Sequence, residues 1–301
     1  MLTKLDPSSE AFVNAMDQIS RRLDKAQRQI STGFRVNTVS DEPDSVSALL
    51  QTRADLSTNA QIQSNLSRVK AETDGAEQAL QSAVTMVEKA RTLGAQGATD
   101  MASAESRQSL ADQVGSIMEE LVGLSRTSVE GRYVFSGDAD QQAPYTIDLS
   151  QTPPISTYAG GTSSREVQHP NGTRFSVART AQDIFEATDP ANNVFTSLDA
   201  LRTALMNSDS KGINDAQAAV GTSLTYLNGQ LAYYGNVQNK VADAMNFGDT
   251  QKVQLQTHLS SLQDADLTQS IMDLNQAQLH QTAALQVRAK SPAQTLFDFL
   301  G

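Results

Sequence analysis

Apolar residues recur at alternating spacings of three and four through most of this 301-residue chain. That pattern constrains the fold more tightly than any motif, because a sustained heptad seam dictates long helices lying nearly parallel or antiparallel to one another. Phe12, Met16, Ile19, Leu23, Ala26 and Ile30 form the first register. Ile62, Leu66, Val69, Thr73, Ala76, Leu80, Ala83, Val87 and Ala90 form a second, and Leu110, Val114, Ile117, Leu121 and Leu124 a third. Later, Val194, Leu198, Leu201 and Leu205 make one seam. Val220, Leu224, Leu227, Leu231, Tyr234, Val241 and Met245 make another, with Gln238 in one slot, and Leu255, Leu259 and Leu262 continue it. Aromatics are only 5% of the chain and Trp is absent, which suits long helices with thin apolar seams.

The first register breaks at "ISTGFRVNTVSDEPDSVSALL", residues 30–50. Gly33 stands where a left-handed residue commonly stops a helix. Ser40 or Asp41 can cap the next helix, with Pro43 in its first turn and Asp44 near its positive end. Capping accounts for Asp41, Glu42 and Asp44 better than a metal site, since no His or further acid completes one. We read Gly33, Arg35, Asn37, Asp41 and Pro43 as a joint between two separately packing layers.

Residues 131–185 read differently. "GRYVFSGDADQQAPYTI", "PPISTYAG", "REVQHPNG" and "TRFSVAR" are short β-branched and aromatic runs between Gly, Pro, Asn and Asp turns. "HPNG" is a hairpin signal, and "AGGTSS" reads as a flexible turn between strands. The expected fold is mainly α: long antiparallel heptad helices with a small inserted β-rich domain at the tip.

The C-terminal helix carries two apolar sets. At about 100° per residue, Leu267, Ile271, Leu274 and Leu285 share one face, while Met272, Leu279, Ala283 and Val287 lie roughly opposite. Two apolar faces call for two neighbours. Phe12, Met16, Ile19, Leu23 and Ile30 of the N-terminal helix could cover one. The tail adds Leu296, Phe297, Phe299 and Leu300, which either fold back on their own bundle or dock into other subunits or a chaperone. Docking is the reading adopted, since burying each such group contributes roughly 1.5–3 kcal/mol.

The rest of the composition excludes function classes. Net charge is −11 with no basic block, which argues against nucleic acid and anionic membrane surfaces. There is no Cys. No apolar run is long enough to span a bilayer, and no signal-peptide core is expected at the N-terminus. His169, His258 and His280 are scattered, and no nucleophile elbow, phosphate loop, dinucleotide fingerprint or zinc motif appears. No catalytic, metal or cofactor-binding residue is assigned, and no cofactor is expected.

"AQRQISTGFRVNTVSDEPDSVSALL" resembles the signature of bacterial flagellins: Ile-Ser-Thr-Gly-x-Arg-Val-Asn, an acidic Pro turn, then a helix. "VEKARTLGAQGA" and "LNQAQLHQTAALQVRAKSPAQTLFDFLG" are similar to further flagellin segments. "VEGRYVFSGDAD" resembles the hook-associated branch of that family rather than filament subunits. The resemblance spans about residues 1–140 and 190–301. It implies that residues 1–42 and 263–301 form an inner helical domain, that 43–130 and 186–262 form a helical bundle, and that 131–185 face outward. It further implies a structural protein of the extracellular flagellum, exported unfolded through the flagellar type III apparatus with a cytoplasmic chaperone. The expected partners are copies of itself in a ring at the hook–filament junction, hook-associated protein 1 and flagellin. A short flagellin, or a non-polymerising secreted coiled-coil binding protein, is the alternative.

Overall fold

A computed structural model describes residues 7–290. Six α-helices dominate: α1 Pro7–Thr32, α2 Pro43–Gly97, α3 Ala104–Ser125, α4 Val194–Met206, α5 Ser210–Gln263 and α6 Leu267–Lys290. Among the described residues there are four strands, β1 Ser128–Val129, β2 Arg132–Tyr133, β3 Glu166–Gln168 and β4 Arg174–Ser176, paired as two antiparallel hairpins. The described residues pack as two units, 7–58 with 251–290, and 59–250.

The heptad registers map onto burial in the 59–250 unit. Leu66, Ala76, Leu80, Ala83, Val87 and Ala90 of α2 are buried, as are Leu110, Val114, Ile117 and Leu121 of α3. Val194, Leu198, Leu201 and Leu205 of α4, and Val220, Leu227, Tyr234 and Val241 of α5, are buried too. Side-chain amides fix α2 antiparallel to α5: Asn59 Nδ2 donates to the Gly248 carbonyl at 2.8 Å, and Gln63 Nε2 to that of Met245 at 2.9 Å. Ser103 caps α3 by accepting from the Ser106 N–H, and Asn193 caps α4 by accepting from that of Thr196.

The central segment departs from a self-contained β-rich domain. Its strands are two or three residues long. Its large side chains fill the helical core instead: Phe135, Tyr145, Ile184 and Phe185 join the cluster built by α2–α5. Phe135 meets Phe185 and Tyr234 edge to face, at 6.5 and 6.2 Å between centroids. The "HPNG" turn does close the β3–β4 hairpin, with Gly172 at φ +92° and His169 N–H donating to the Thr173 carbonyl at 2.8 Å. Val167 and Val177 seat it on Ile62, Leu66, Val237 and Val241.

"AGGTSS" is not a free turn between paired strands. Gly161 N–H donates to the Ser136 carbonyl at 2.8 Å, and Tyr158 Oη to the Gly161 carbonyl at 2.9 Å. Gly137, at φ +61°, lies so close that a Cβ there would fall 2.5 Å from the Gly161 oxygen.

Candidate assembly surfaces

In the unit of residues 7–58 and 251–290, α1 and α6 pack against each other. They run antiparallel: Gln29 Oε1 accepts from Ser270 Oγ at 3.3 Å, and Ser9 Oγ accepts from Arg288 at 2.8 Å. On α1 the predicted seam faces the contact. Ala26 is buried and Phe12, Met16, Ile19, Leu23 and Ile30 are half-buried. The Arg288 guanidinium lies 5.7 Å from the centre of the Phe12 ring.

On α6 the contact differs from the expected face. The covered positions are Ser270, Leu274, Ala277, Gln281 and Ala284, at helical spacing. Small side chains let the helices approach, and only Leu274 of the predicted set lies on this strip. Leu267, Ile271 and Leu285 remain 48%, 48% and 51% exposed. Met272 and Leu279, roughly opposite the strip at about 100° per residue, are 53% and 67% exposed. Leu296, Phe297, Phe299 and Leu300 lie outside the described residues.

The joint is a clip between two helix breaks. Gly33, at φ +75°, donates its N–H to the Gln29 carbonyl at 2.9 Å and so ends α1. Its carbonyl accepts from the Ala265 N–H at 2.9 Å, and Arg35 N–H donates to the Gln263 carbonyl at 2.6 Å. Phe34 and Asp264 form an antiparallel bridge between these bonds. Arg35 donates to the Leu262 carbonyl at 3.0 Å and pairs with Glu42. Arg53 donates to Gln263 Oε1 at 2.8 Å. The gap between α5 and α6 is thus the second half of the joint; the resemblance set a boundary at 262/263, but no residue there was assigned to the joint.

Within the clip, neither Ser40 nor Asp41 caps α2. Asp41 Oδ2 reaches backward and accepts from the N–H groups of Asn37 and Thr38, at 3.0 and 2.7 Å. Partial burial pushes the Asp41 carboxyl up, but the backbone donors of Thr38 and Asn37 outweigh it and hold it below the usual range. Asn37 Nδ2 donates to the Phe34 carbonyl at 2.7 Å, and Pro43 opens α2.

Sequence reading also missed Arg107. It is buried, and its guanidinium donates to the carbonyls of Gly97 at 2.9 Å, Thr99 at 3.3 Å and Ser208 at 3.4 Å. It therefore satisfies the C-terminal end of α2 and fixes the link between α4 and α5. None of the three histidines enters a polar cluster of catalytic type. His169 sits in the hairpin turn with its ring 5.2 Å from that of Phe247, and His258 and His280 are exposed on helices.

Terminal helices that leave an apolar face uncovered and, between them in the sequence, a helical unit with its own enclosed core are the parts of a structural protein. The chain belongs to the bacterial flagellin family: the flagellin N-terminal helical region matches residues 8–140 and the C-terminal helical region residues 217–300. It is a flagellar structural protein.

Among known proteins it is similar to flagellar hook-associated protein 3 of Escherichia coli, with 24% identity over 84% of this chain and 78% of that one. A hook-associated protein structure from Vibrio parahaemolyticus superposes with TM-score 0.65 at 19% identity, covering 74% of this chain and all of that one. Hook-associated protein 3 from Legionella pneumophila gives TM-score 0.62 at 13% identity, covering 70% and 98%. No described helix is long and apolar enough to cross a membrane.

Proposed function

We propose that this chain is the adaptor between hook and filament, assembling as a ring beside hook-associated protein 1 and receiving flagellin on its other side. The observation that carries this reading is the apolar face of α6 turned away from α1. A helix with one face satisfied inside its own chain and another left open is built to extend a tube of helices. The division into an inner domain, 1–42 with 263–301, and a bundle of 43–130 with 186–262 belongs to the same reading. So do export through the type III apparatus and a chaperone holding the C-terminal part.

The segment 131–137 supports an indirect part for the hook-associated signature. Val134 and Phe135 are buried, so they shape the unit that meets partners and do not touch those partners. The mechanism is helix packing without chemistry. Deleting the gene should leave hooks in place, release flagellin monomer into the medium and abolish motility. A deletion strain with full-length filaments would overturn the adaptor role and leave a flagellin-like one.

A further inference from the structure

The chain has no Cys, so no thiolate intercepts an oxidant, and the thioethers of its eight methionines are its only sulfur. Access to them differs widely. Met118 is fully buried in the core of the 59–250 unit, and Met16, Met86 and Met245 are half-buried. Met1 lies outside the described residues. The open ones are Met101 at 97%, Met272 at 53% and Met206 at 45% exposure.

Their positions differ too. Met101 stands in the turn between α2 and α3, and Met206 ends α4, both within the 59–250 unit. Met272 stands on α6, away from the strip that meets α1, with the exposed Leu279 one heptad further on. Of the three open thioethers, Met272 is therefore the one on the face that the adaptor reading turns toward a partner.

We propose that Met272 is an oxidation-sensitive assembly residue: a peroxide that converts it to the sulfoxide in the free chain closes the open face of α6 to that partner. The proposal rests on the adaptor reading above and adds a chemical gate to it. The thioether sulfur attacks one peroxide oxygen. The O–O bond breaks, an S–O bond forms, and the other oxygen leaves as water. Sulfur gives up the two electrons that the peroxide takes. The product is a polar, chiral side chain in place of a flexible apolar one. Its oxygen is a hydrogen-bond acceptor, and covering it without a donor costs free energy that the thioether does not cost. The covering that makes the face useful also shields the sulfur, so oxidation acts before assembly and not after it.

Hydrogen peroxide is the probe. Peptide mapping of the treated, purified chain should find sulfoxide at Met101 and Met272 well before Met118. The treated chain should then bind the hook ends of a deletion strain at least about tenfold less than the untreated chain, read by immunoblot of washed cells. Methionine sulfoxide reductases should restore that binding. Met272→Leu should bind after treatment as it does before, whereas Met101→Leu should lose binding as the parent chain does. In intact flagella the same dose should spare Met272.

Full binding by a chain whose Met272 is wholly sulfoxide would overturn the proposal. So would an equal loss of binding in treated Met272→Leu, which would put the damage at another methionine or in the fold. Oxidation of Met272 as fast in intact flagella as in the free chain would overturn the shielding. Failure of the untreated chain to bind hook ends, or full filaments in the deletion strain, would instead remove the adaptor reading on which the proposal rests.

Discussion

Replacing Met272 and Leu279 with Ser separates assembly from folding. Both side chains lie away from the strip of α6 that meets α1, and they are 53% and 67% exposed. Fully burying such a side chain is worth roughly 1.5–3 kcal/mol. Covering the part still exposed on these two would contribute about 2–4 kcal/mol per subunit. At 1.4 kcal/mol per factor of ten, removing it weakens incorporation by roughly 30-fold to several-hundred-fold. The cost to the monomer is only the propensity difference, up to about 0.5 kcal/mol per site. Leu274→Ser is the contrast, because it removes the large apolar group on the covered strip. Hydrogen exchange of purified monomer should show α1 and α6 unchanged in the double variant and loosened in Leu274→Ser. Immunoblots of sheared flagella should show the double variant depleted. Normal incorporation of the double variant, or loosening equal to that of Leu274→Ser, would refute the assignment of that face to assembly.

Gly137→Ala should lower the melting temperature of the 59–250 unit, at a cost of about 2 kcal/mol or more, because it adds left-handed strain to a collision with the Gly161 oxygen. Gly131→Ala, also at positive φ but in open space, should cost only about 1 kcal/mol by the same thermal melt. Arg107→Met should destabilise that unit by about 2–3 kcal/mol in urea titration, since it leaves the Gly97 carbonyl without its donor. The depressed carboxyl of Asp41 contributes stability that is present above the ordinary value of about 3.9 and lost as pH falls through its folded value. Amide exchange at Asn37 and Thr38 should therefore accelerate in acid in the parent chain, whereas Asp41→Asn should be flat over the same range.

The helical seams were legible because one repeat imposes both the spacing of apolar residues and the geometry of packing. The central segment was over-read as sheet because short aromatic and β-branched runs between turn residues look alike whether they pair with strands or plug a helical core. Only "HPNG" carried register information, and it closed a hairpin. Half of the joint announced itself through Gly33 and Pro43. The other half, residues 262–266, contains neither Gly nor Pro, and its one local signal is Asp266, whose carboxylate caps α6 by accepting from the Gln269 N–H at 3.1 Å. On α6 the contact strip is chosen by close approach, which favours Ser270 and Ala277, and a reading of large apolar residues looked elsewhere. Arg107 did carry a signal. It continues the Leu110, Val114, Ile117 and Leu121 register one step toward the N-terminus, so a charge at that position needed backbone acceptors.

The two units meet their polar and apolar demands in different ways. In residues 59–250 a large apolar core is enclosed and a buried arginine is engaged by three carbonyls and the Ser210 hydroxyl. In the α1–α6 pair the large apolar seam of α1 meets a strip of α6 that is small or polar except for Leu274, and Phe12, Met16, Ile19, Leu23 and Ile30 stay only half-buried. Helices draw most of their stability from packing, and whatever covers the open face of α6 therefore supplies much of the stability of this pair. Binding that favours the folded form stabilises it in proportion to partner concentration. On the adaptor reading proposed above, folding of α1 and α6 and entry into a polymer are one linked equilibrium. On that reading α1 and α6 stay weakly committed until a matching lattice end presents itself, while the clip at residues 33–42 and 262–266 holds the two helix breaks in register for that event.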